Sequence, residues 1–277
     1  MKAGIAAVLL SLASAAQAQV CDRDAAPCSI DSGTYHVALP ATPEGDLPAV
    51  LFLHGAGGTG RGVLGMTGTI KALTDRGYAV IAPDGLPWRP GRSGGIWSFL
   101  PAIQRDKARD EPAFFAAVVA DAATRYDVDP DRVALAGFSA GAFMVNYLAC
   151  DTPEAFAAYA PVAGGFWRPH PENCAGPVRL LHTHGWTDGT VPLEGRPLRN
   201  GAWLQGDIFE GLGLWRAANG CTSPAPSGHR TTDDFMRRYW TCADGSALEL
   251  ALFPGGHGMP AGWADMMVDW FEGLPES

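Results

Sequence analysis

The sequence predicts an α/β fold: one domain built on a mainly parallel sheet with helices covering both faces. Three observations predict it. Short apolar runs alternate with helix-length segments along the chain, the pattern of repeated strand–helix–strand units. Hydrophobic residues make up 47% of the 277, enough for a sizeable core. Residues 19–277 suit one large α/β domain better than two small ones.

Residues 1–18 are set aside as a leader. Met1-Lys2 gives a positive start, an apolar and small run follows, and Ala16-Gln17-Ala18 has the form of a cleavage site, as in a secretory signal peptide. A lipid anchor on Cys21 is disfavoured because Val20 is too bulky for the position before it. No later stretch is long and apolar enough to cross a bilayer. Export makes the six cysteines disulfide candidates. None has C-x-x-C spacing, which argues against a zinc cluster. Of the 15 possible pairings, joining sequential neighbours closes three short loops: Cys21 with Cys28, Cys150 with Cys174, and Cys221 with Cys242. The formal charge of -9 comes from dispersed acidic residues and makes nucleic acid an unsuitable partner.

The elements follow in order. Residues 49–53 (AVLFL) form a buried strand ending in His54-Gly55. Residues 69–75 form a short helix, then comes a strand at 78–82 and the turn Pro83-Asp84-Gly85. Residues 112–126 repeat apolar side chains at helical spacing, with Pro112 suited to the first turn. Residues 132–136 (RVALA) form the next strand and 140–149 the next helix. Strands at 178–183 and 248–253 and an amphipathic helix at 262–271 complete the pattern. The Gly- and Pro-rich segment 87–95 and the stretch 223–230 read as loops.

Ser139 stands in Gly137-Phe138-Ser139-Ala140-Gly141, between the strand at 132–136 and the helix at 140–149. Gly-x-Ser-x-Gly alone is a weak signal, and a structural serine in a glycine turn explains it equally well. At a strand-to-helix turn it becomes a nucleophile elbow, which holds the serine hydroxyl above the sheet edge. Gly137 and Gly141 leave room where strand and helix cross. A serine hydroxyl needs a base and an orienting acid, and behind this elbow they follow in the order Ser, acid, His. His257, in FPGGHG directly after the strand at 248–253, is the candidate base. Asp188, in HGWTDGTVP after the strand at 178–183, is the candidate acid; Asp233 and Asp234 compete but no strand delivers them. The oxyanion needs two N–H donors. Ala140 supplies one, and Ala56, in the loop HGAGGTG, supplies the other. That loop also fits G-x-G-x-x-G, but no acidic residue ends a second strand at the distance ribose binding needs. Trp97, Trp167 and Trp186 lie in loops after strands or glycine turns and are candidates for the substrate surface, with core filling as the alternative for each.

On these motifs the chain resembles the secreted polyhydroxybutyrate depolymerase and feruloyl/acetylxylan esterase group of α/β-hydrolases. The matches are LFLHGAGG (51–58), APDG (82–85), YDVDPDRVALAGFSAGAFM (126–144), APVAGG (160–165), HGWTDGTVP (184–192) and PGGHG (254–258). The resemblance implies Ser139 as nucleophile, Asp188 as acid and His257 as base, with no metal and no cofactor. It is consistent with the 150–174 and 221–242 cysteine pairs. Trp186 departs from it, standing where the group usually has a small residue. It implies a secreted serine esterase but does not settle the substrate, since the group includes both polyester and plant-cell-wall esterases. Hydroxyalkanoate esters or oligomers are the expected substrate, with a feruloyl or acetylxylan ester as the alternative and a peptide as the more distant one. Neither nucleic acid nor membrane is an expected partner, and the sequence is silent on oligomeric state.

Overall fold

The computed structural model describes residues 20–43, 45–88, 91, 93–99 and 108–275. The expected leader at 1–18 lies outside the described residues. Fourteen strands are found among them: β1 (Cys28–Ile30), β2 (Gly33–Ala38), β3 (Leu47–Leu53), β4 (Ala79–Pro83), β5 (Leu86–Pro87), β6 (Gly95–Ile96), β7 (Val128–Phe138), β8 (Ala158–Val162), β9 (Arg179–Gly185), β10 (Pro197–Leu198), β11 (Trp203–Leu204), β12 (Gly228–Thr232), β13 (Phe235–Trp240) and β14 (Ala247–Phe253). The helices are α1 (Gly60–Leu64), α2 (Thr67–Asp75), α3 (Glu111–Tyr126), α4 (Ala140–Asp151), α5 (Ile208–Ala218) and α6 (Trp263–Glu272).

Ten strands form one sheet in the order β1-β2-β4-β3-β7-β8-β9-β14-β13-β12. The six from β4 to β14 are mutually parallel, and antiparallel strands flank them on both sides. A parallel sheet must be covered on both faces, and the alternation along β3 shows how. Leu51 and Leu53 join a cluster with Phe115, Val118, Leu148 and Leu212 from α3, α4 and α5. Val50 and Phe52 join the opposite cluster with Val63, Leu73, Trp263 and Met267 from α1, α2 and α6. The chain runs outward from β3 to β4 but from β7 to β8 in the other direction. That reversal opens a crevice between the carboxyl ends of β3 and β7, where ligands of open α/β sheets bind.

Local sequence sets the helix starts. Asp110 accepts from the Ala113 N–H to cap α3, and Asp207 accepts from the Glu210 N–H to cap α5, satisfying N–H groups a helix start leaves bare. The cysteines pair 21–28, 150–174 and 221–242. Part of the segment expected as a loop at 223–230 is different: from Gly228 it enters β12, an edge strand paired with β13. His229 sits exposed on that edge and Asp233 at the following turn, remote in strand order from the crevice.

Candidate active site

Three loops from the carboxyl edge of the sheet bring the candidate residues together. β7 ends at Phe138 and α4 begins at Ala140, so Ser139 alone makes the turn, at φ 55° and ψ -117°. A left-handed serine is strained. It is held there by its own N–H, which donates to the Val162 carbonyl at 3.0 Å, and by close packing beneath. A methyl group on Gly141 would stand 2.2 Å from the Leu53 carbonyl oxygen, and one on Gly137 would stand 2.7 Å from the Gly141 carbonyl carbon. The first turn of α4 points its dipole toward this serine, favouring negative charge beside it.

β9 and β14 are parallel neighbours, with Gly185 opposite Phe253, so the loops after them leave the sheet side by side. The Trp186 N–H donates to Phe253 O at 2.8 Å and the Thr187 N–H to Gly255 O at 2.9 Å. This stitching sets Asp188 against His257. Asp188 is buried; its Oδ1 accepts from the N–H groups of Thr190 and Val191, each at 2.8 Å. Its Oδ2 lies 2.7 Å from His257 Nδ1. His257 Nε2 lies 2.9 Å from Ser139 Oγ, and the Phe138 ring backs the imidazole at 4.8 Å. A carboxylate on Nδ1 leaves Nε2 free to accept a proton from the hydroxyl. This line of three groups can therefore generate a serine nucleophile.

The loop after β3 closes the site. Gly55 lies against Ser139 and Phe138. The Gly57 N–H donates to Gly95 O and the Gly58 N–H to Gly55 O. Ala56 N–H has no partner among the described residues. Ala140, the first residue of α4, directly follows the serine. His54, which sequence reasoning did not single out, orders this loop. Its Nε2 accepts from the Gly85 N–H at 2.9 Å, so its Nδ1 carries the proton and donates to Gly55 O at 2.8 Å. That carbonyl belongs to the same trans peptide as Ala56 N–H, which therefore points the opposite way. Pinning the carbonyl aims the N–H. The only signal in the sequence was a His-Gly pair at a strand end.

The expectation for Trp97 is corrected. It is 1% exposed, donates its indole N–H to His54 O at 2.8 Å and packs on His54 and Phe115. It braces the loop and is closed to substrate. Trp186 is 56% exposed, two residues from Asp188. Trp167 is half-buried and stacks at 5.2 Å on Phe143, one helical turn beyond Ser139. Trp88, not anticipated from the sequence, is exposed and lies beside Gly57.

The solved structure of an acetyl xylan esterase from Aspergillus awamori superposes with a TM-score of 0.63 at 20% identity, over 86% of this chain and 93% of that one. This chain has the α/β-hydrolase fold. A model of the prolyl oligopeptidase family matches residues 65–166, the segment that holds the elbow. Feruloyl esterase B of Piromyces equi is 28% identical over 68% of this chain and 35% of its own length. Poly(3-hydroxyalkanoate) depolymerase C of Paucimonas lemoignei is 30% identical over 40% of this chain and 26% of its own length. The chain thus spans about a third and a quarter of these relatives. Both belong to the group its motifs resemble, so the resemblance is borne out.

Burial also sets the pH response of the fold. Desolvation lowers the pKa of His54 and of His184, and that of His182 well below the ordinary 6.5. Each stays neutral when folded but takes a proton when unfolded. Their contribution is therefore intact above about pH 6.5 and is lost as pH falls below it. Glu111 and Asp151 act in the opposite sense, since burial raises the pKa of each, but they are two groups against three. The thermal midpoint is expected to fall between pH 7.5 and about pH 5.5, and His182→Leu to flatten that slope. A midpoint that rises on acidification would contradict the neutral imidazoles.

Proposed function

We propose that this protein is a secreted carboxylic-ester hydrolase that needs no metal or cofactor and works through an acyl-enzyme on Ser139. Its proposed substrates are hydroxyalkanoate esters or oligomers. The observation that carries the reading is the hydrogen-bonded line Ser139 Oγ–His257–Asp188 at the carboxyl edge of the sheet. His257 takes the hydroxyl proton as Ser139 attacks the ester carbonyl. Asp188 keeps the imidazole proton on Nδ1 and stabilises the imidazolium. The N–H groups of Ala140 and Ala56 receive the oxyanion. His257 then protonates the leaving alcohol, and water attacks the acyl-enzyme with His257 again as base. The six paired cysteines suit an oxidising compartment, which supports export.

Trp186 and Trp88, with Trp167 deeper, offer flat apolar surface for a short acyl chain or a ring. A second reading, an aryl ester of plant cell wall, is favoured by the alignment with the feruloyl esterase, which extends over 203 residues against 112 for the depolymerase. The match to the prolyl oligopeptidase family puts peptides in the test as well. Initial rates on a hydroxybutyrate trimer, suspended polymer film, methyl ferulate, acetylated xylan, triolein and a chromogenic peptide separate the readings. The trimer is expected to be cut faster than the film, triolein to be poor and the peptide to be inert. Methyl ferulate as the best of the panel moves the assignment to the second reading. Triolein or the peptide as the best overturns both.

A further inference from the structure

Behind Asp188 stand two imidazoles that the acyl-transfer scheme leaves unused. His182 and His184 lie two apart on β9, so both project from the same face of the strand. Both are buried, with ring planes parallel and centroids 5.4 Å apart. His184 Nε2 is 2.8 Å from the Val191 carbonyl oxygen and 3.5 Å from Asp188 Oδ2. Both neighbours are acceptors, so this nitrogen carries the proton. A neutral ring protonated there has a bare Nδ1, and it accepts from His182 Nε2 at 3.1 Å. One carbonyl thus fixes the proton positions of both rings. The charged or titratable groups around His184 are His182, Asp188, His257 and Glu194.

We propose that His184 is a positioning residue for the triad acid, pinning the Val191 carbonyl as a neutral donor. The proposal rests on Asp188 being that acid. Val191 is the link: His184 holds its C=O, while its N–H and that of Thr190 hold Asp188 Oδ1. With Oδ1 tied to the backbone, Oδ2 is left facing His257 Nδ1. Freeing the Val191 carbonyl lets the 188–191 turn rotate and takes Oδ2 out of line with the imidazole. His182 completes the device, because its N–H is what makes His184 keep its proton on Nε2.

The test uses the full mature chain and p-nitrophenyl acetate. Wild type and Ser139→Ala come first: loss of turnover in Ser139→Ala shows the triad reading standing, and retained turnover breaks that reading without involving His184. His184→Leu then removes the donor at similar volume, and His184→Gln keeps an N–H near the same place. The Leu variant is expected to lose kcat by about 30-fold, as a small misplacement of a catalytic group can cost, with KM within about twofold. The Gln variant is expected to recover most of the rate. A kcat loss under about threefold, a KM that changes in step with kcat, or a Gln variant as slow as Leu overturns the proposal. Should His184→Leu not fold, His182→Leu decides: a lower kcat at an unchanged KM supports the device, and an unchanged kcat overturns it.

Discussion

Ser139→Ala is expected to lower kcat on short acyl esters by about 10⁴-fold or more, the usual cost of removing a triad nucleophile. The fold should be untouched. The Ser139 side chain makes no capping bond to α4, and its Oγ is bonded to His257, so the alanine variant leaves no backbone group bare. Thermal melting should therefore match wild type while turnover disappears. His257→Ala is expected to behave alike, and Asp188→Asn to be severe, because an amide cannot hold the imidazole with Nε2 bare. Asp233→Asn should be silent, since Asp233 sits at the β12–β13 turn on the far edge of the sheet. Steady-state kinetics on these four variants check the assignment. Retained turnover in Ser139→Ala, or Asp233→Asn worse than Asp188→Asn, contradicts it.

Gly141→Ala is expected to damage both stability and activity. The added carbon meets the Leu53 carbonyl at 2.2 Å, and neither a strand end nor the first turn of a helix can yield cheaply. Overpacking of this kind costs about 3 kcal/mol. The damage is expected to reach function too, because Leu53 leads directly into His54 and the proposed oxyanion loop while Gly141 stands two residues after Ser139. Pushing α4 off β3 separates donor from nucleophile. Gly68→Ala is the control: Gly68 is exposed in α2 with nothing within 4 Å of a new methyl, and alanine should stabilise there by about 0.5 kcal/mol. Urea midpoints at constant m-value measure both. Equal effects at the two positions would refute close packing at the elbow.

The candidate site was legible because its signals are local. A parallel strand buried on both faces is a continuous apolar run, and the loop leaving its carboxyl end follows directly in the chain. Ser139, Asp188 and His257 could each be attached to such a run without knowing how the runs pair. Elements with weaker local signals were missed. β8 reads AYAPV, short and carrying Pro161, yet it lies buried between β7 and β9. α5 carries Gly211 and Gly213 in its interior, poor helix formers that packing overrides. β12 has no buried residue, and β13 buries Arg237 while exposing Met236 and Tyr239, so neither shows the apolar alternation of a strand and both resemble loop until they are paired. Trp97 shows a different limit. A loop position after a glycine turn says that a side chain is near the edge, not whether it faces solvent or the core. His54 and His184 escaped because each acts through a backbone carbonyl, and no motif records which way a carbonyl points.

The central claim is that Ser139 is a nucleophile made reactive by His257. Labelling with a fluorophosphonate tests it directly, since the reagent forms a stable bond to an activated serine and spares ordinary hydroxyl groups. The mature protein is treated at neutral pH, digested, and the modified peptide sequenced by mass spectrometry. The account predicts one adduct, on Ser139, formed rapidly in wild type and lost in His257→Ala with the fold retained. An adduct on another serine, or labelling of Ser139 at an undiminished rate without His257, would contradict it.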